Sequence, residues 1–124
     1  MSFKKKKYEI IKKAISPELA QFCYNYILLK RDVAATMFKT KYISPFEESF
    51  GVWETVIQQV PDTYAHYSDI AMETLLLKLH PLMEKKTGMN LFENYSYTRV
   101  YKKGDVLKRH KDRFSCEIST TLNL

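Results

Sequence analysis

Residues 95–113 read YSYTRVYKKGDVLKRHKDR, and how this stretch is read decides the fold. Tyr95, Tyr97, Arg99 and Tyr101 alternate with smaller residues at a period of two, the signature of a half-buried strand. Lys102-Lys103-Gly104-Asp105 then supplies a turn, with Gly104 where positive φ is tolerated. Val106 to Asp112 resumes as a second strand or strand end. After a turn at Arg113–Ser115, Cys116 to Leu124 alternates again, with Cys116, Ile118, Thr120, Leu122 and Leu124 on one face. Ser119, Thr121 and Asn123 share the other.

Working back from this stretch, the chain is helical in texture. Met72, Leu75, Leu76, Leu79, Leu82 and Met83 recur at helical spacing after a cap at Ser68 or Asp69, and Lys85, Lys86 and Gly88 close the element. Pro81 is expected to kink or end it, because proline removes a backbone donor. Further upstream, Ser16 is a good N-cap, Pro17 suits the first helical position, and Leu19, Phe22, Cys23, Tyr26 and Ile27 form an apolar face. Tyr8 to Ile15 reads as a short strand leading into that helix. Between the helices, residues 39–67 are irregular and aromatic, with Trp53 to Val60 a short helix or turn stopped by Pro61. The fold class expected is therefore α+β, with N-terminal helices followed by antiparallel strands. One domain spans 1–124: a basic segment and strand (1–15), helical support with an aromatic loop (16–90), and the strand region (91–124).

Composition agrees with one domain. The 124 residues are 45% apolar and 14% aromatic, enough for an ordinary core. No run approaches the roughly 20 apolar residues that cross a bilayer, and the basic start carries no signal-peptide core, so no membrane association and a cytoplasmic location are expected. The net charge is +6, but six of the basic side chains lie in 4–13, opposed there by Glu9 alone. The rest of the chain is close to neutral, which argues for a solubilising tip over a nucleic-acid surface. Cys23 and Cys116 lack metal or redox spacing and are read as reduced thiols.

The chemistry lies in His110-Lys111-Asp112. Two residues apart on a strand, an imidazole and a carboxylate face the same side and can converge on one metal ion. With a second histidine they form the facial triad of non-haem iron oxygenases, which leaves open positions for a co-substrate and O₂. By itself the motif is too short to be specific.

Its setting resembles the prolyl 4-hydroxylase-like Fe(II)/2-oxoglutarate-dependent dioxygenases, in particular bacterial and phage members. Tyr101, Gly104, His110 and Asp112 fall on that family's strand-end tyrosine, turn glycine and first two iron ligands. The resemblance covers the last thirty residues firmly and the helical front more loosely. It implies a double-stranded β-helix, jelly-roll-like and here incomplete, with helices buttressing one sheet. It further implies Fe(II) and 2-oxoglutarate, with ascorbate as accessory reductant, and hydroxylation of a peptide, protein or small-molecule substrate. Tyr101, Ser119 and Asn123 would touch 2-oxoglutarate, and Arg113 would face substrate. Leu107 departs from the tyrosine common there. No histidine follows Asp112, nor the basic residue that would pair with the 2-oxoglutarate carboxylate, so the expectation is a C-terminally truncated oxygenase, inactive alone. Two rivals stand beside it. One is a non-catalytic remnant that acts as an interaction module, able to associate through an exposed edge strand. The other is a small basic nucleic-acid-binding domain, using the lysines, Arg109, Arg113 and the interleaved tyrosines.

Overall fold

The computed structural model describes residues 2–53, 60, 62–107, 110, 112 and 114–124. Three helices, α1 (Ser2–Lys6), α2 (Pro17–Lys39) and α3 (Ile70–Thr87), accompany three short strands, β1 (Val52–Trp53), β2 (Tyr64–Tyr67) and β3 (Tyr97–Val100). The strands form one antiparallel sheet in the order β1-β2-β3. The α+β class expected from the sequence is the class observed.

α2 begins where its capping residues require. Ser16 is extended (ψ 153) and its hydroxyl accepts the Leu19 N–H at 3.1 Å, with Pro17 behind it; this satisfies one of the helix's orphan donors. Cys23, Ile27 and Ala34 are its buried positions. Phe22, expected on the same face, is 68% exposed. The buried stripe runs through Cys23, Ile27 and Ala34, and Phe22 lies off it; the helix itself runs on to Lys39.

Asp69 opens α3 with a carboxylate that accepts the Ala71 and Met72 N–H groups. Gly88 ends it in the left-handed region at φ 72, the usual helix stop. Pro81 lies inside this helix and does not end it. Its missing N–H falls on the outer face: Leu77, four residues earlier, is 62% exposed, so water can take the Leu77 carbonyl.

The helices pack on one face of the sheet. Tyr64 pairs with Trp53 on one side and Val100 on the other, so these three side chains share a face. They meet Cys23, Ile27, Ala34, Met72, Leu75 and Leu79 in the core. Trp53 stacks between Phe38 (6.0 Å, edge-on) and Tyr64 (4.9 Å). The Tyr64 hydroxyl donates to the Phe50 carbonyl. That ring leaves room only for glycine at position 51, where a Cβ would stand 2.6 Å from two ring carbons at φ 97.

Several local expectations are corrected. Tyr8–Ile15 is irregular and not a strand, with a turn at Lys12 and Lys13 and a bend at Ala14 and Ile15, and Ser2–Lys6 before it is helical. β2 lies inside the segment read as an aromatic loop, because Tyr64, Ala65 and His66 are all buried and a strand covered on both faces loses its alternation. The short helix or turn expected at Trp53–Val60, with its stop at Pro61, falls largely outside the described residues, and Trp53 itself belongs to β1. Among the described residues, neither 106–112 nor 116–124 is a strand, since period-two alternation makes a strand only where a neighbour pairs with its backbone. The alternation of 116–124 still sorts burial in part: Cys116, Ile118 and Leu122 are half-buried, while Ser119, Thr121 and Asn123 are exposed. No helix among the described residues is long and apolar enough to cross a membrane.

Candidate functional site

The segment carrying His110 is launched from a pinned turn. At the end of β3, Asp105 Oδ2 accepts the Lys102 N–H at 2.8 Å, and Asp105 N–H returns to the Lys102 carbonyl at 3.0 Å. Gly104 takes φ 92 between them. The same carboxylate accepts from Thr63 Oγ1 at 2.9 Å, and Lys102 Nζ donates to the Asp62 carbonyl at 3.0 Å, so the turn is tied to the approach to β2. The Lys102 N–H and ammonium, with the Thr63 hydroxyl, hold the Asp105 carboxyl below its ordinary range against a small desolvation penalty.

Beyond this turn His110 Nε2 stands 3.4 Å from Asp112 Oδ1. Asp112 Oδ2 accepts the Ser119 hydroxyl at 2.9 Å. Ser119 reaches it because the final segment folds back: Asn94 Nδ2 donates to the Ser115 carbonyl at 3.1 Å, Cys116 Sγ donates to the Tyr95 hydroxyl at 3.4 Å, and Leu122 packs against the core. The structure thus brings together three of the expected site residues, His110, Asp112 and Ser119. The His110 and Asp112 side chains are 32% and 51% exposed, so the pair faces solvent.

The other expected residues are placed differently. Tyr101 is half-exposed, and its hydroxyl accepts from Arg99 Nη1 at 3.3 Å while the guanidinium lies over the Tyr97 and Tyr101 rings. Asn123 is exposed. Arg113 lies outside the described residues, as does Arg109. Phe114, next to the site, is 98% exposed, an apolar neighbour that the sequence reading did not single out. Leu107 is also exposed.

Two donors bound side by side to a first-row metal ion at about 2.1 Å stand about 3 Å apart. The 3.4 Å between His110 Nε2 and Asp112 Oδ1 fits two such positions with a small adjustment, and Ser119 holds the second carboxylate oxygen aside. No group of three metal-binding side chains occurs among the described residues. The two remaining histidines are committed elsewhere. His80 Nδ1 lies 2.7 Å from Glu93 Oε2, and its Nε2 lies 2.6 Å from the Leu91 carbonyl. Both partners only accept, so both ring nitrogens carry protons. Desolvation opposes that charge, but the Leu91 carbonyl, Glu93 and Glu84 outweigh it and raise the His80 pKa. These contacts tie the middle of α3 to the segment after it, a structural role for His80.

His66, expected in a loop, lies buried in β2 beside a buried polar cluster. The centre of that cluster is Asp69, whose Oδ1 accepts from Tyr26 at 2.7 Å and from Lys30 Nζ, with His66 Nδ1 at 3.4 Å. Burial and then the Lys30 charge lower the His66 pKa, against the pull of Asp69. Asp69 itself stays ionised: burial works against its charge, but Lys30, Tyr26 and the Met72 N–H hold its pKa below the usual range. Sequence reasoning treated Asp69 only as a helix cap. Nothing local in the chain signals its partners on α2, 39 and 43 residues away. The cluster joins α2, β2 and α3, and every one of its charges is answered inside it, which makes it scaffold.

Comparisons with models of protein families, with curated proteins and with solved structures return no match.

Proposed function

We propose that this chain is part of an Fe(II)/2-oxoglutarate-dependent hydroxylase of the prolyl 4-hydroxylase-like type, to which it contributes two iron ligands, His110 and Asp112. The observation that supports this reading is the meeting of His110 Nε2 and Ser119 Oγ on the two oxygens of the Asp112 carboxylate in a solvent-facing site. An antiparallel sheet with helices on one face, followed by the Gly104 turn, also suits the start of a double-stranded β-helix.

When bound, iron and 2-oxoglutarate would supply the activation of O₂, of which one oxygen atom ends in succinate as CO₂ is released and the other is inserted into a peptidyl or small-molecule C–H bond. The chain's own residues bind and orient. His110 would hold the iron through Nε2 and Asp112 through Oδ1, while Ser119 occupies Oδ2, so that the carboxylate would bind through one oxygen. Tyr101 receives a hydrogen bond from Arg99 and keeps its own O–H to give, here to the distal carboxylate of 2-oxoglutarate. Asn123 and Arg113 belong to the co-substrate and substrate sides. The third ligand would come from outside the described residues, and ascorbate would serve as reductant.

The test is anaerobic titration with Fe(II) and 2-oxoglutarate, followed by visible absorption, on this chain and on a polypeptide continued past Leu124. The reading expects a weak charge-transfer band in the longer polypeptide that His110→Ala erases. Ser119→Ala should lower iron affinity about tenfold, the scale for losing a group that orients a ligand. If neither polypeptide binds iron or 2-oxoglutarate, the proposal fails.

A further inference from the structure

α1 is docked, not a detached basic tip. Lys7 closes the helix at φ 66, its N–H on the Phe3 carbonyl at 2.7 Å, and α1 lies against α3. Lys4 Cε would be 3.4 Å from a Cβ at Gly88. Lys86 Nζ is 3.3 Å from Glu9 Oε2. These contacts gather the lysines of α1 beside Lys85 and Lys86 in the last turn of α3. The acidic groups at this end are engaged internally. Glu9 is held by Lys86, Glu84 accepts the Leu91 N–H at 2.8 Å, and Glu93 pairs with His80.

Large apolar side chains stand out among these lysines. Tyr8 and Ile10, on either side of Glu9, are 59% and 80% exposed. Met89, next to Gly88, is 45% exposed, and Phe92, next to the tethered Leu91, is 95% exposed. A solubilising tip has no use for them.

We propose that this end of the molecule docks on an anionic lipid bilayer, its lysines against the headgroups and Ile10 and Phe92 entering the acyl boundary. Charge complementarity selects a polyanion. The apolar residues select the bilayer among polyanions: Ile10 and Met89 have no ring on which a nucleic-acid base could stack, whereas the membrane interface rewards buried aliphatic surface. Peripheral docking of this kind needs no spanning helix. Each basic residue near such a surface contributes about fivefold to partitioning, so this cluster suffices for reversible attachment.

Co-sedimentation of the whole chain with vesicles tests the proposal. Vesicles of phosphatidylcholine containing phosphatidylserine should bind it at low salt and less at high salt, and pure phosphatidylcholine vesicles should not. The triple change Lys4→Glu, Lys5→Glu, Lys6→Glu should weaken binding at least 100-fold with the circular-dichroism spectrum unchanged. The pair Ile10→Ser, Phe92→Ser should weaken it about five- to tenfold while leaving its salt dependence intact. Phe92→Trp should blue-shift on the anionic vesicles. Failure to bind phosphatidylserine vesicles would overturn the proposal. So would binding indifferent to Ile10→Ser, Phe92→Ser and displaced by a single-stranded oligonucleotide, which would mark a general polyanion site.

Discussion

Asp69 illustrates how one side chain can hold several elements. One oxygen caps α3 through Ala71 and Met72, and the other receives Tyr26 and Lys30 from α2. Removing it strands a lysine that is 19% exposed and frees a helix start. Asp69→Ala should therefore cost about 3 kcal/mol in urea unfolding, the lower end for breaking a buried ion pair. Lys30→Met should cost less, about 1–2 kcal/mol, since Asp69 keeps three hydrogen-bond donors. Equal losses would contradict this account. At Gly51 the constraint is steric and conformational together. Gly51→Ala should lose about 1–3 kcal/mol and disturb the Trp53–Tyr64 stack, visible in Trp53 fluorescence. Residues of this kind are half-legible in sequence: a cap or a glycine can be named, its partner cannot.

At the scale of elements, α2 and α3 were readable because capping and termination are local chemistry. Ser16-Pro17, Asp69 and Gly88 act within one turn of themselves. Of the two outcomes expected of Pro81, an end to the helix does not occur, because the proline's penalty depends on whether the freed carbonyl meets water or core. Pro81→Ala should restore the missing backbone bond and raise stability by about 1–3 kcal/mol; a loss in urea midpoint would show that the proline is needed for packing. β2 escaped notice for the opposite reason. Its three buried residues have no period until β1, β3 and the helices cover them.

For the whole molecule, His66 and His80 pull stability in opposite directions with pH. His66 has a lowered folded pKa, so the stability tied to its neutral form is present above the unfolded value of about 6.5; it is lost as pH falls through the folded value. His80 has a raised folded pKa, so its contribution is complete below about 6.5 and is lost as pH rises through the folded value. NMR titration of the ring protons should place His66 below and His80 above 6.5, and a reversed order would refute both assignments. The site divides along the same lines. His110 and Asp112 could be named from their two-residue spacing, and Tyr101 only from the family resemblance. The contact from Ser119 to Asp112 depends on the last segment folding back over Asn94 and Tyr95, although the sequence reading had assigned Ser119 to the co-substrate.

The chain by itself determined the α+β class, the start of α2, both ends of α3, the Gly104 turn and the spacing of His110 and Asp112. All of these rest on interactions a few residues long, or on periodicity that a buried face imposes. Tertiary structure alone decided the pairing of β1 with β2, the Asp69 cluster, and the docking of the lysine-rich α1 against α3. Those depend on which distant groups meet, and burial sets their energy: a charge such as Asp69 is costly or stabilising according to what the fold places beside it.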